Sequence, residues 1–279
     1  MTDKSIKGPL NDFQSTRALV SKLARISKGG FLDISIASQA LQTDPKSTAI
    51  KLAALVKTGW LLRVKRGLYF ILPLEATPGK SMMSEDPWLL AREAFSPCYI
   101  GGWSAAEYWG LTDQLFRSTL VITAANIRAK SITLLNHEFR LFQVENARIN
   151  NAVSIWRGSE QINVSDREQT ILDCLRNPEL CGGIRHLSDI MLSYKENKEH
   201  NFPALLAKAK KHANGASWKR LGYLSELLWE EDAQEIIDEA KKNMTAGNIK
   251  LDPNVNSKET LIKRWHLWIN VTIINQEHV

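Results

Sequence analysis

Three carboxylates within one short stretch, Asp166, Glu168 and Asp173, are the residues best placed by type and spacing to do chemistry. Paired carboxylates can hold Mg²⁺ for attack on a phosphodiester, which makes a metal-dependent nuclease using Asp166 and Glu168 one reading of the chain. Against it, Asp166 stands just before a helical pattern, where a carboxylate caps the free amides. Asp173 is more than a full turn further on, and no strand-borne acid and lysine accompany the group. The histidines at 137, 186, 200, 212, 266 and 278 have neither HxxxH nor HxH spacing, so no zinc set is predicted. Ser104 follows Gly-Gly-Trp, outside the GxSxG context of a strained nucleophile, and reads as a helix cap. Gly101-Gly102 lacks the further glycines of a phosphate loop. No active site emerges, and the chain reads as a non-enzyme with no cofactor and no resident metal.

A different chemistry, recognition of phosphates and bases, has more support. Lys46, Ser47, Thr48 and Lys51 lie in one helical segment, and Arg63, Lys65 and Arg66 surround a glycine turn shortly after it. Hydroxyls and cations suit the acceptor-rich edge of a major groove, and cations suit the backbone beside it. The charge distribution agrees. Residues 1–80 carry 13 basic against 5 acidic side chains, a net +8, whereas the remaining 199 residues carry a net −2. A basic module joined to a near-neutral one is the expected pattern when one part meets a polyanion, with duplex DNA ahead of an anionic membrane surface.

The elements that would position these residues can be read from capping and periodicity. A first helix is predicted over Phe13–Lys28, with Leu19, Leu23 and Ile26 inward and Gly29-Gly30 as its stop. A second starts at Ser35 as its cap and ends near Gln42. A third has Asp44 as N-cap, Pro45 at its first position, Lys57 in its last turn and Gly59 beyond its end. The helical wheel places Ala49, Leu52, Ala53 and Val56 inward, and Ser47, Lys51, Ala54 and Thr58 outward, with Lys46 and Thr48 exposed near the first turn. Trp60–Val64 and Leu68–Leu72 then form a hairpin across Lys65-Arg66-Gly67. Three helices followed by a basic-tipped hairpin define a winged helix-turn-helix over residues 1–75. Its third helix would enter the major groove and its wing would grip backbone or minor groove.

Pro73, Pro78-Gly79, Ser81 and Ser84 break all periodicity, so a linker is predicted at 76–85. The second domain, 86–279, opens with a helix from Asp86-Pro87 to Phe95. A corner helix runs from Ser104 to a Gly110 C-cap. Strands are predicted at Leu120–Thr123, His137–Val144 and Val153–Trp156, giving a small sheet. After Asp166 come helices at Glu168–Arg176, Ile184–Tyr194, Pro203–His212, Trp218–Leu228 and Ala233–Lys242, with a last one at Lys258–Ile269. The fold class is therefore α+β and helix-rich, a winged helix followed by a mixed α/β domain with a helical tail. Trp103, Trp109, Trp218, Trp229, Trp265 and Trp268 are core residues or stacking platforms for bases. Lys208, Lys210, Lys211 and His212, with Lys219 and Arg220, are a second anion-contacting face or a solvated one.

Composition sets the remaining bounds. At 279 residues, 44% hydrophobic and 24% charged, the chain has room for two domains of ordinary size. No apolar run approaches the ~20 residues of a membrane span, and the polar start MTDKSIK is unlike a signal peptide, so no membrane partner and a cytoplasmic location are expected. Cys98, Cys174 and Cys181 form no CxxC pair and read as reduced packing residues.

The runs RGLYFILP at 66–73, YIGGWSAAEYWGLTDQ at 99–114 and VSDREQTILDCL at 164–175 resemble the AbiEi family of antitoxin-type transcriptional regulators, with WKRLGYLSELL at 218–228 a weaker echo. The resemblance implies an amino-terminal winged helix that binds inverted repeats in the promoter of its own operon and represses it. It further implies a carboxy-terminal domain that counters a nucleotidyltransferase-like toxin of an abortive-infection system. A solitary winged-helix regulator with no toxin beside it is the alternative. Binding as a monomer or as a homodimer both fit inverted repeats.

Overall fold

The computed structural model describes residues 9–27, 30–72, 86–127, 129–158, 160–257 and 259–273. The linker predicted at 76–85 lies outside them. The fold is α+β and divides into two compact units, Met1–Asp86 with Leu134–Asn136, and Pro87–Thr133 with His137–Val279.

The first unit contains α1 (Pro9–Ile26), β1 (Phe31–Asp33), α2 (Ile34–Leu41), α3 (Pro45–Lys57), β2 (Leu61–Lys65) and β3 (Leu68–Ile71). The strands form an antiparallel sheet in the order β1-β3-β2. β1 is too short to show a period and is absent from the sequence-based expectation; pairing of Phe31 with Phe70 and Asp33 with Leu68 defines it. Asp33, not Ser35, caps α2, its carboxylate accepting from the Ile36 amide at 2.8 Å. β1 delivers the chain into the helix with its cap two residues earlier, which leaves Ser35 inside the first turn. The core joins Val20 and Leu23 of α1 to Leu32, Ala37, Leu52, Leu55, Leu61 and Tyr69.

The second unit begins with α4 (Pro87–Phe95), β4 (Cys98–Ile100) and α5 (Gly102–Tyr108). It continues through β5 (Ser118–Thr123), β6 (Ser131–Leu134), β7 (His137–Gln143), β8 (Ala152–Arg157) and β9 (Glu160–Ser165). The sheet predicted as small has six strands, in the order β6-β7-β5-β4-β9-β8, with parallel β4-β9 and β5-β7 pairs. Ser104 does not cap α5. It sits within the helix, buried, and its hydroxyl accepts from the Leu120 amide at 2.9 Å, fastening α5 to β5. Gly102 makes this close approach possible: its φ is +51°, and a Cβ there would lie 2.1 Å from the Leu180 carbonyl oxygen.

Asp166 does cap α6 (Arg167–Arg176), accepting from the Gln169 amide at 2.9 Å. Around α6 pack α7 (Ile184–Glu196), α8 (Phe202–His212) and α9 (Gly215–Leu228), with α10 (Gln234–Asn243) against α9. Seven successive α6 residues, Gln169–Leu175, are buried. The buried Arg220 of α9 donates to the Leu175 carbonyl at 2.9 Å, satisfying an otherwise orphaned end of α6, and to the Leu251 carbonyl at 2.8 Å.

The helix predicted at Lys258–Ile269 is not formed. Among the described residues this segment holds β11 (Thr260–Ile262) and β12 (Leu267–Ile269), which pair with β10 (Ile249–Lys250) in the order β10-β12-β11. Between the two strands a single 3₁₀ turn, Lys263–Trp265, is stopped by His266, which takes a left-handed φ of 52°. The turn swings Trp265 into a fully buried position on α9, over Gly222.

Candidate nucleic-acid interface

Local sequence explains why α3 is rigidly started. The Asp44 carboxylate accepts from the amides of Lys46 and Ser47, both at 3.0 Å, and Pro45 occupies a position that needs no donor. The Ser47 hydroxyl and amide hold the Asp44 carboxyl below its ordinary value of 3.8. Thr43 Oγ1 and Thr48 Oγ1 are 2.8 Å apart, and Ser38 Oγ donates to Thr48 Oγ1 at 3.2 Å, so three hydroxyls tie the end of α2 to the first turn of α3.

This arrangement corrects one expected base contact. Thr48 is completely buried and cannot reach a base edge. The inward arc of α3 is Thr48, Leu52 and Leu55, while Ala53, expected inward, is exposed. The reason is area: turning the helix to bury Leu55 in place of Ala53 removes more apolar surface from water, and the Thr48 hydroxyl finds two partners there. The outward face then carries Lys46, Lys51 and Ala54, exposed, with Ser47 half-buried. It also carries Ile50, 66% exposed, which the wheel reading passed over. An apolar residue at an outward position was the available signal.

Arg63, Lys65 and Arg66 are exposed at the end of the β2-β3 hairpin. Gly67 supplies φ +86° at the turn, and its carbonyl accepts from the Ile34 amide at 3.1 Å, fixing the hairpin to the start of α2. A register shift between Arg63 and Lys65 twists the strand at its basic end. Among the described residues Lys46, Lys51, Arg63 and Arg66 form no ion pair with protein carboxylates.

The other candidates are occupied. Asp166 pairs with Lys208 besides capping α6, and Glu168 accepts from the Tyr194 hydroxyl at 2.9 Å. Asp173 is buried and receives Tyr99 Oη at 2.7 Å, Arg148 Nη2 at 2.8 Å and Gln169 Nε2 at 3.0 Å. Burial pushes its carboxyl above the ordinary range against the pull of Arg148 and these donors, and pushes the Tyr99 phenol up as well. Among the described residues no three His, Cys, Asp or Glu side chains converge as a metal site. His186 lies 2.6 Å from Thr112 Oγ1 and 2.5 Å from the Cys181 carbonyl, a buried bridge between loops.

Several members of the second basic cluster are engaged within the protein. Lys208 is paired with Asp166, Lys210 with Glu239 at 3.2 Å, and Lys219 is buried and donates to the Gly247 carbonyl. Burial, with Lys211 and Lys208 adding repulsion, lowers the His212 pKa. The indole N–H groups of Trp103, Trp109, Trp229 and Trp265 donate to Ser118, Ser165 and Met191 carbonyls and to the Glu226 carboxylate, so these rings are core residues anchored at one end. A 460 Å³ cleft in the second unit is bounded by Trp88, Arg92, Cys98, Tyr99, Ile149 and Gln161, and Arg92 at its side is paired with Glu93 and Glu160.

No family model and no curated protein matches this chain. Among solved structures it is similar to the crystal structure of the RV2827C protein from Mycobacterium tuberculosis, with 17% identity over 92% of this chain and 91% of that one and a TM-score of 0.60. At that identity the likeness is one of fold. Among the described residues no helix is long and apolar enough to cross a membrane.

Proposed function

We propose that this chain is a sequence-specific duplex-DNA regulator without enzymatic activity. In this reading the first unit is a winged helix that represses its own operon, and the second is an antitoxin domain directed at a nucleotidyltransferase-like partner. The observation that carries the DNA reading is a pair of exposed features in one compact unit: an acid-free outward face on α3 and three exposed hairpin cations, in the stretch that holds the chain's entire excess of positive charge. Lys51 and Ser47 face the bases; Lys46, Arg63, Lys65 and Arg66 face phosphates. The antitoxin half rests on the resemblance of residues 99–114 and 164–175 to the AbiEi family.

A salt-titrated binding measurement on the full chain tests the first half. The DNA upstream of the gene is expected to bind in preference to random duplex. Replacing Arg63, Lys65 and Arg66 with Gln is expected to reduce the slope of log affinity against log salt by about one per lost phosphate contact. An unchanged slope removes the wing from the interface, and no preference for the upstream DNA removes the proposal.

A further inference from the structure

We infer that the outward face of α3 reads a thymine methyl group through Ile50, so that the DNA it prefers presents an A·T pair with thymine against that side chain. This inference rests on the DNA-binding reading above and names the sequence class that reading leaves open.

Ser47, Ile50, Lys51 and Ala54 are spaced i, i+3, i+4, i+7 and form one outward stripe. Ile50 is 66% exposed, and over residues 15–27 and 30–72 it is the sole large hydrophobic left in solvent to that degree. Ala53 and Ala54 beside it are exposed too. The stripe contains no Arg, Asn or Gln and no acid to accept from cytosine, and its one cation able to donate to guanine is Lys51. Its directional groups reduce to one short hydroxyl and one lysine, and lysine acts as a point charge that serves a phosphate as readily as a base. Apolar contact is what remains. In the major groove the apolar group on offer is the C5 methyl of thymine. A methyl removed from water between Ile50 and a base contributes roughly fourfold in affinity.

The experiment compares the upstream duplex amplified with thymine and with uracil, which differ by that methyl, against the full wild-type chain and Ile50→Ala at moderate ionic strength. Wild type is expected to bind the uracil duplex roughly fourfold or more weakly. Ile50→Ala is expected to bind both duplexes equally, near the affinity of wild type for the uracil one. Ile50→Thr, which keeps one methyl, is expected to fall between. Because Ile50 is exposed, all three proteins should melt alike. Equal wild-type affinity for both duplexes, with preference over random DNA retained, overturns the methyl inference and leaves the DNA reading standing. A thymine preference that persists in Ile50→Ala overturns it too, by assigning the difference to duplex stiffness. An altered sedimentation mass of Ile50→Ala with unchanged thymine preference assigns the residue to self-association and overturns it as well. No preference for the upstream DNA at all overturns both readings.

Discussion

Thr48 and Asp44 show how a few atoms decide what the face of α3 can offer. The Thr48 hydroxyl is spent on Ser38 and Thr43, so its role is to set the angle between two helices. Thr48→Val keeps the shape but removes the partner of two half-buried hydroxyls, of which Ser38 retains the Ile34 carbonyl at 2.7 Å; a loss of about 1 kcal/mol in urea unfolding is expected, with the salt slope of DNA binding unchanged. A flattened slope would return Thr48 to the interface. Asp44 is stabilised as an anion by the amides and hydroxyl it receives. A carboxyl lowered in the folded state contributes stability above its ordinary value of 3.8 that is lost as pH falls through the lowered one. Asn caps nearly as well without titrating, so the stability gap between wild type and Asp44→Asn should close in acid. A gap constant across that range would show that the charge contributes nothing.

At the scale of elements, α9 illustrates how packing overrides propensity. Alanine is favoured over glycine in a helix interior by about 1 kcal/mol, so Gly222 looks improvable from its sequence. A Cβ at 222 would lie 2.1 Å from Trp265 Cζ3 and 2.8 Å from the Ala240 Cβ, inside any permitted contact. Sterics win over propensity there. Gly222→Ala is expected to lower the melting temperature, with a net destabilisation of about 1–3 kcal/mol; a rise would mean that the Trp265 ring moves aside freely. Trp265 also explains why the tail ends in strands. Its burial on α9, with its indole N–H on Glu226 at 2.7 Å, fixes the turn between β11 and β12.

Across the whole molecule, charge is divided as the proposed roles are. The first 80 residues hold the net positive charge, while the lysines of α8 in the second unit are largely balanced by carboxylates. A protein with Arg63, Lys65 and Arg66 replaced by Gln is accordingly expected to lose repression of a promoter reporter. It should still relieve growth arrest when co-expressed with the neighbouring gene product. Loss of both activities together would mean that the two roles are not separable in this way.

Capping and charge were legible because they are local. Asp44 before Pro45 and Asp166 before α6 each state their capping role within a few residues, and the turn at 65–67 states its place in a hairpin; hydrogen bonds closed over three positions do not depend on distant chain. What depended on distant chain could not be read in advance. Whether Thr48 or Ala53 turned inward was decided by the volume that α2 and β2 leave for α3. Whether Ser104 capped or fastened was decided by β5, and whether 260–269 coiled or extended was decided by the place on α9 that accepts Trp265. Short strands such as β1 and β4 carry too few residues to show a period, and partners far away in the chain define them. The sequence alone determined the caps at Asp44 and Asp166 and where positive charge gathers; the tertiary structure decided the other helix starts and which side of each element faces water, because burial is a property of the assembled surfaces.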